Sequence, residues 1–415
     1  MKTHPLIFDW NRTGAAPPAE VLLDDETLRD GLQSPSVRAP AIEEKVRILH
    51  LIDRLGIDTA DIGLPGAGPH VVRDVERLAR EIVDQRLNVR ANCAARTVIA
   101  DIRPIAEISQ RVGMPIECCA FIGSSPLRQY AEGWTLDQLL KLTDEAIGFA
   151  VRENLPVMYV TEDTTRADPD ALRALYSTAI RAGARRVCIA DTVGHATPHG
   201  AAAVVRFIKS VVDECGGGIG IDWHGHRDRD LAVINTLAAL DAGATRLHGA
   251  AIGLGERVGN TPMDLLLLNL VLMGYVERDL AALGEYCETV SAATGVPIPA
   301  NYPAIGRDAF RTATGVHAAA VIKAFHKQDR ALIDAVYSGV PASMVGREQQ
   351  IDVGPMSGRS NVVFWLERHG HRPDDALVER IFSKAKGSST VLTEEELSAE
   401  VAAFEIGHGV HGSHG

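Results

Sequence analysis

At 415 residues, with 46% hydrophobic and 23% charged side chains, the chain exceeds one average domain and carries enough apolar surface for a large core. A formal net charge of −12 and a pI near 5.7 argue against a surface for nucleic acid or for an anionic membrane. Neither a run of about eighteen apolar residues nor an apolar stretch behind Met1-Lys2-Thr3-His4-Pro5 is present, so no membrane span or export signal is expected, and a cytoplasmic location is. The six cysteines (Cys93, Cys118, Cys119, Cys188, Cys215, Cys287) form no CxxC and mostly lie in apolar runs, as reduced core residues do.

In chain order, β-rich runs alternate with amphipathic stretches. Strands are expected over 20–24, 57–63, 87–92, 116–121, 156–161, 185–190, 219–224 and 245–251. Helices are expected near 41–55, 69–84, 98–112, 135–153, 168–182, 197–214, 229–242 and 261–274. Asp168-Pro169 and Thr197-Pro198 each read as an N-cap followed by proline in the first turn. Eight βα units in a row imply a closed parallel barrel, an architecture of about 250 residues.

In such a barrel every chemically suggestive motif falls at a strand's C-terminal end, where the fold builds active sites. The first is Arg29-Asp30 within Asp25–Gly31, after the apolar run Val21-Leu22-Leu23. Glu162-Asp163, Asp191-Thr192 and Gly253-Leu254-Gly255-Glu256-Arg257 follow the fifth, sixth and eighth strands. His224-Gly225-His226 closes the seventh. Residues two apart on a strand share a face, so both imidazoles can serve one ion, and with Asp30 they suggest an oxygen/nitrogen-ligated divalent metal. The same parity puts Met158, Val160 and Glu162 on the interior face and Asp163 on the other, with Arg166 available to pair either carboxylate.

After about residue 275 the rhythm stops. The expected division is a catalytic barrel over 1–275, a linker and active-site flap over 276–330, a small helical subdomain over 331–405, and a disordered His-bearing tail over 406–415.

The motifs Asp25–Gly31 with Gln33, Glu162-Asp163, Asp191–Pro198, His224-Gly225-His226, Gly253–Asn260, Thr314-Gly315-Val316-His317 and Met356-Ser357-Gly358-Arg359 together resemble the metal-dependent DRE-TIM acyltransferases and lyases. Within that group the chain is most similar to isopropylmalate and homocitrate synthases, over roughly residues 20–370. The resemblance implies a TIM (β/α)8 barrel of the α/β class with a mainly helical C-terminal extension. It implies Asp30, His224, His226 and Asn260 as ligands of Mg²⁺, Mn²⁺, Co²⁺ or Zn²⁺, and acetyl-CoA as co-substrate. Arg29, Glu162, His317 and Tyr337 take catalytic roles in this reading, and Gln33, Asn92, Arg128, Met158, Val160 and Thr192 line the substrate. A homodimer is implied as well, each subunit's flap serving the other's site. The stiff segment around Pro297–Pro303 reaches outward, and Ala318, Val321 and Ile322 are expected to bury against the partner. The helices after residue 330 are too short for a leucine-type feedback domain, so none is expected.

The implied reaction is a Claisen condensation of acetyl-CoA with a 2-oxo acid, the lyase branch of the group running the reverse cleavage. That branch typically carries a Cys-Gly-rich lid, where this chain has Gly253–Asn260, and so synthesis is favoured over a lyase or aldolase activity. Homocitrate-type enzymes place Arg at the Met158 position, and both branches usually have Ser at Val160. An apolar pair leaves a second buried carboxylate unpaired at a cost of several kcal/mol, which favours an apolar substrate such as 2-oxoisovalerate. Leu127-Arg128-Gln129-Tyr130 and Ile189–Pro198 look homocitrate-like, whereas Asn92 stands where homocitrate-type enzymes tend to have His; a dicarboxylic 2-oxo acid is the alternative.

Overall fold

The computed structural model describes residues 4–11, 18 and 20–409. It divides into two compact units, one running to Ile298 and one from Pro299 onward, with residues 4–11 grouped in the second.

In the first unit eight parallel strands close into a barrel: β1 (Leu22–Asp25), β2 (Thr59–Asp61), β3 (Arg90–Arg96), β4 (Glu117–Gly123), β5 (Val157–Glu162), β6 (Arg186–Asp191), β7 (Gly220–Gly225) and β8 (Arg246–Gly249). Closure comes from β1 pairing with β8, Leu22 opposite Arg246 and Asp25 opposite Gly249. Outside run α1 (Ile42–Arg54), α2 (Pro69–Gln85), α3 (Ile99–Val112), α4 (Pro126–Glu132), α5 (Leu136–Arg152), α6 (Pro169–Ala182), α7 (Pro198–Glu214), α8 (Ala232–Ala242), α9 (Met263–Leu272) and α10 (Leu283–Thr294).

Local chemistry sets these boundaries. Asp168 accepts the backbone N–H groups of Asp170 and Ala171 at the start of α6, and Thr197 accepts that of Gly200 at the start of α7. Each is followed by the proline that the helix's first turn tolerates. Both helices lie where the sequence places them. The strand expected over 87–92 lies later, at β3, and the sequence reading did not anticipate the short helix α4, about two turns long, after β4.

The barrel interior is layered. Cys119, Met158 and Cys188 form an apolar layer, with Val160 packed against it and less completely buried. Toward the strands' N-terminal ends the interior is charged: Arg246 reaches Asp222 at 2.5 Å and Glu117 at 2.6 Å, while Arg186 reaches Asp222 at 2.6 Å. Burial acts to raise the Asp222 carboxyl, but Arg246 and Arg186 outweigh it and hold it below the ordinary carboxylate range.

The second unit contains β9 (Arg311–Thr312), paired in parallel with β10 (Gln350–Ile351), and five helices: α11 (Gly315–His326), α12 (Arg330–Ala335), α13 (Arg359–Arg368), α14 (Asp375–Gly387) and α15 (Glu394–Gly409). Its main core joins Val362, Trp365 and Leu366 of α13 to Leu377, Val378 and Ile381 of α14 and to Leu397 and Val401 of α15. The Ala318, Val321 and Ile322 face of α11, expected against a partner subunit, is instead buried within this unit against Ile351 and Phe364. A hydrophobic face already covered by its own chain gains nothing further from a partner. Residues 406–409 of the expected tail continue α15, and 410–415 lie outside the described residues. Among the described residues no helix is long and apolar enough to cross a membrane.

Candidate active site

The loops at the C-terminal ends of β1, β7 and β8 bring the predicted ligands together. After β1 the chain turns sharply, the Glu26 carbonyl accepting the N–H groups of Arg29 and Gly31, and this aims Asp30 inward. His224 lies on β7 itself, and His226, just beyond it, bridges to Asn260. Asp30 Oδ2 sits 3.6 Å from His224 Nε2 and 3.7 Å from His226 Nε2, and it accepts the Asn260 Nδ2–H at 2.9 Å. One donor atom from each of Asp30, His224 and His226 falls within 4.8 Å of the others, and all three residues are buried.

Two buried polar atoms of this cluster, Asn260 Oδ1 and His226 Nδ1, have no hydrogen-bond partner among the described residues. A carboxylate, two imidazoles and an unpartnered amide oxygen, with no thiolate, form a donor set that fits an octahedral or tetrahedral divalent ion. The glycines of the 253–259 loop make the approach of Asn260 possible. A Cβ at Gly259 (φ +106°) would meet the Gly253 carbonyl oxygen at 1.8 Å, and one at Gly255 (φ +149°) would meet the Asn260 amide nitrogen at 2.7 Å.

Electrostatics point the same way. Burial pushes His226 down to about 4, helped by His224, so its ring is neutral with a lone pair to offer. At Asp30 burial acts upward, but Arg29 and His224 outweigh it and keep the carboxyl ionised. Burial acts to lower His224, yet Glu26, 2.6 Å from its Nδ1, raises it.

Arg29 forks across the rim. Its Nε donates to Asp61 Oδ2 at 2.6 Å, and its two Nη atoms lie 3.2 Å from Asp30 and 3.5 Å from Glu26. Arg29 thus pairs with a barrel carboxylate, Asp61, and at the same time lies beside Asp30, one of the predicted ligands.

Glu162 ends β5 half-buried, and burial lifts its carboxyl above the usual range against the pull of Arg128, 3.7 Å away. Asp163 turns away through a left-handed backbone (φ 56°) and takes a two-pronged grip from Arg166 at 2.7 and 2.8 Å. Thr192 Oγ1 accepts the Asp163 N–H at 2.8 Å, which leaves its hydroxyl hydrogen to donate elsewhere. Asp191 organises the loop, accepting Thr165 Oγ1–H and the N–H groups of His195 and Ala196.

The remaining candidates spread over several environments. Gln33 is exposed at the end of the short turn after Asp30. Asn92 is fully buried inside the barrel, with Nδ2 donating to Asp24 Oδ1 at 2.5 Å. Arg128 is exposed and pairs with Glu132 at 2.9 Å as well as facing Glu162. In the second unit His317 and Tyr337 are both exposed and stack on each other, ring centroids 4.4 Å apart. Sequence reasoning missed Glu26 and His248. Their only local signal is the parity of Glu26 with the inward-facing Asp24.

A family model described as HMGL-like matches residues 20–290. Among similar proteins are a homocitrate synthase AksA from Methanopyrus kandleri, 32% identical with 89% of this chain and 88% of the relative covered, and a 2-isopropylmalate synthase from Pyrococcus furiosus, 30% identical with 94% and 77% covered. A homocitrate synthase from Pyrococcus abyssi is 31% identical, covering 91% of this chain and 98% of its own. Among solved structures, an HMG-CoA lyase from Bacillus subtilis shares the fold, with a TM-score of 0.56 at 20% identity over 69% of this chain and 97% of that one.

Proposed function

The chain belongs to the HMGL-like family, and we propose that it condenses acetyl-CoA with a 2-oxo acid bearing an apolar side chain, such as 2-oxoisovalerate. The convergence of Asp30, His224 and His226 beside an unpartnered Asn260 Oδ1 carries this reading. A divalent ion held by those four residues, Mg²⁺, Mn²⁺, Co²⁺ or Zn²⁺, would polarise the keto group of the 2-oxo acid.

The chain's own residues supply the rest. The Arg29 guanidinium, fixed by Asp61, bears the negative charge that develops on the keto oxygen as the new C–C bond forms. The Thr192 hydroxyl hydrogen donates to the substrate carboxylate. His317 takes a proton from the acetyl methyl group on a ring nitrogen, with Tyr337 stacked against it holding the ring. Glu162, lifted by burial, orients or exchanges the proton at the alkoxide. The His317 flap serves the barrel of a partner subunit.

The apolar preference rests on Met158 and Val160, which continue the layer of Cys119 and Cys188. Arg246 does reach the Met158 sulfur at 3.1 Å, but Asp222 and Glu117 already take its charge. A second substrate carboxylate here would find no free cation among the described residues, and its desolvation would cost several kcal/mol. One observation favours a dicarboxylic 2-oxo acid as a second reading: Arg128 offers an exposed guanidinium beside Glu162. Water then hydrolyses the thioester of the condensed product and frees CoA, so release of free CoA thiol from acetyl-CoA in the presence of 2-oxoisovalerate tests the primary reading, and 2-oxoglutarate in its place tests the second.

A further inference from the structure

Beneath His224 the barrel holds a chain of side chains to which the condensation assigns no role. Glu26 follows β1 on the inward parity of Asp24, and its two carboxylate oxygens are used separately. Oε2 lies 2.6 Å from His224 Nδ1, and Oε1 lies 3.0 Å from Nδ1 of His248, on β8. His248 Nε2 lies 2.9 Å from Asp222 Oδ2, and Asp222 is itself anchored by Arg186 and Arg246. Glu26, His224, His248 and Asp222 are all buried.

This geometry assigns the protons. Each nitrogen of His248 faces a carboxylate, which only accepts, so both nitrogens donate. Glu26 is thus pinned at both oxygens. One of them receives the Nδ1–H of His224, which leaves the lone pair of His224 Nε2 facing Asp30 and His226. Without His248, Oε1 would lose its partner inside the barrel. The carboxylate could then swing toward Arg29 Nη2, already 3.5 Å away, and release His224.

We propose that His248 is a positioning residue for divalent-metal binding, holding Glu26 so that Glu26 fixes the ring orientation and tautomer of His224. This inference rests on the metal reading given above.

The test is titration of the full-length protein with Mn²⁺ by calorimetry and with Co²⁺ by visible absorbance, for the wild type, His248→Gln and Glu26→Gln. Partners of this kind typically change metal affinity about 10–100-fold when removed. The expected result is a weakening in that range for both variants, one site per chain throughout, and an altered Co²⁺ spectrum in protein whose far-ultraviolet circular dichroism matches wild type. A residue needed only for folding would lower the melting temperature and leave the affinity and spectrum of the folded fraction unchanged. Folded variants that bind Mn²⁺ as tightly as wild type, with the wild-type Co²⁺ spectrum, overturn the proposal alone. If His248→Gln does not fold, the near-isosteric Glu26→Gln decides. A wild-type chain that binds neither ion overturns the metal reading and this proposal with it.

Discussion

Arg29 Nε donates to Asp61 Oδ2 at 2.6 Å, an ion pair between the loop after β1 and the last residue of β2. It directs the other edge of the guanidinium toward Asp30 and Glu26, so the cation stands beside the proposed ligand Asp30 instead of swinging into solvent.

Loosening that pair should therefore reach the chemistry although Asp61 is not among the residues proposed to hold substrate. Asp61→Asn keeps the volume and removes the charge. A displacement of about 1 Å at a charge-stabilising group costs roughly 10²-fold in rate. Steady-state kinetics should show kcat/KM down by about that factor with a well-folded protein, and an unchanged kcat/KM would detach Arg29 from the reaction.

Removing a proposed metal ligand should act more severely. Asp30→Ala and His224→Ala are each expected to abolish metal-dependent turnover while leaving the barrel folded, because both side chains lie on the loop-bearing rim and outside the apolar layer. Metal content, circular dichroism and turnover measured on the same samples check this. Full activity in both variants, and in wild type after chelation, would remove the metal from the mechanism.

The pH profile should report Glu162. Burial raises its carboxyl and Arg128 partly opposes the rise, so the ionised form appears at higher pH than for an ordinary glutamate. If the ionised form is the working one, the acid limb of kcat/KM follows its titration. Arg128→Gln removes the opposing charge, so the limb should move to higher pH, and Glu162→Gln should abolish it. A shift to lower pH in Arg128→Gln contradicts the assignment.

What was legible in the sequence was whatever a short window encodes. The barrel strands, the capped starts at Asp168-Pro169 and Thr197-Pro198, and the HxH pair follow from periodicity and from residue types next to one another. The β3 boundary slipped because Leu87 and Val89 look strand-like although both precede the first paired residue, Arg90. Helix α4 has only seven residues, too few for a periodic signal. The second layer of the site was out of reach for a different reason: Glu26 meets His248 across 222 residues, and no local pattern encodes such a contact. The stacking of His317, near the start of α11, on Tyr337, just past the end of α12, also joins residues twenty apart, and only the resemblance to the synthases singled them out.

Assembly offers an independent check on His317. Its neighbour Val316 is 76% exposed, and Tyr337 is 47% exposed, so this face of the second unit is uncovered within its own unit. If the flap serves a partner's barrel, mixing His317→Ala with His224→Ala subunits should regenerate activity from two inactive parents. A mixture that stays inactive after confirmed subunit exchange contradicts the shared site.

The most direct test of the central claim is CoA release from acetyl-CoA against a panel of 2-oxo acids, with and without a divalent ion. The expected result is ion-dependent release with 2-oxoisovalerate or another apolar 2-oxo acid, and a kcat/KM for 2-oxoglutarate lower by orders of magnitude, as an unpaired second carboxylate beside Met158 and Val160 requires. Preference for 2-oxoglutarate would contradict the apolar pocket, and no CoA release with any member of the panel would contradict the condensation itself.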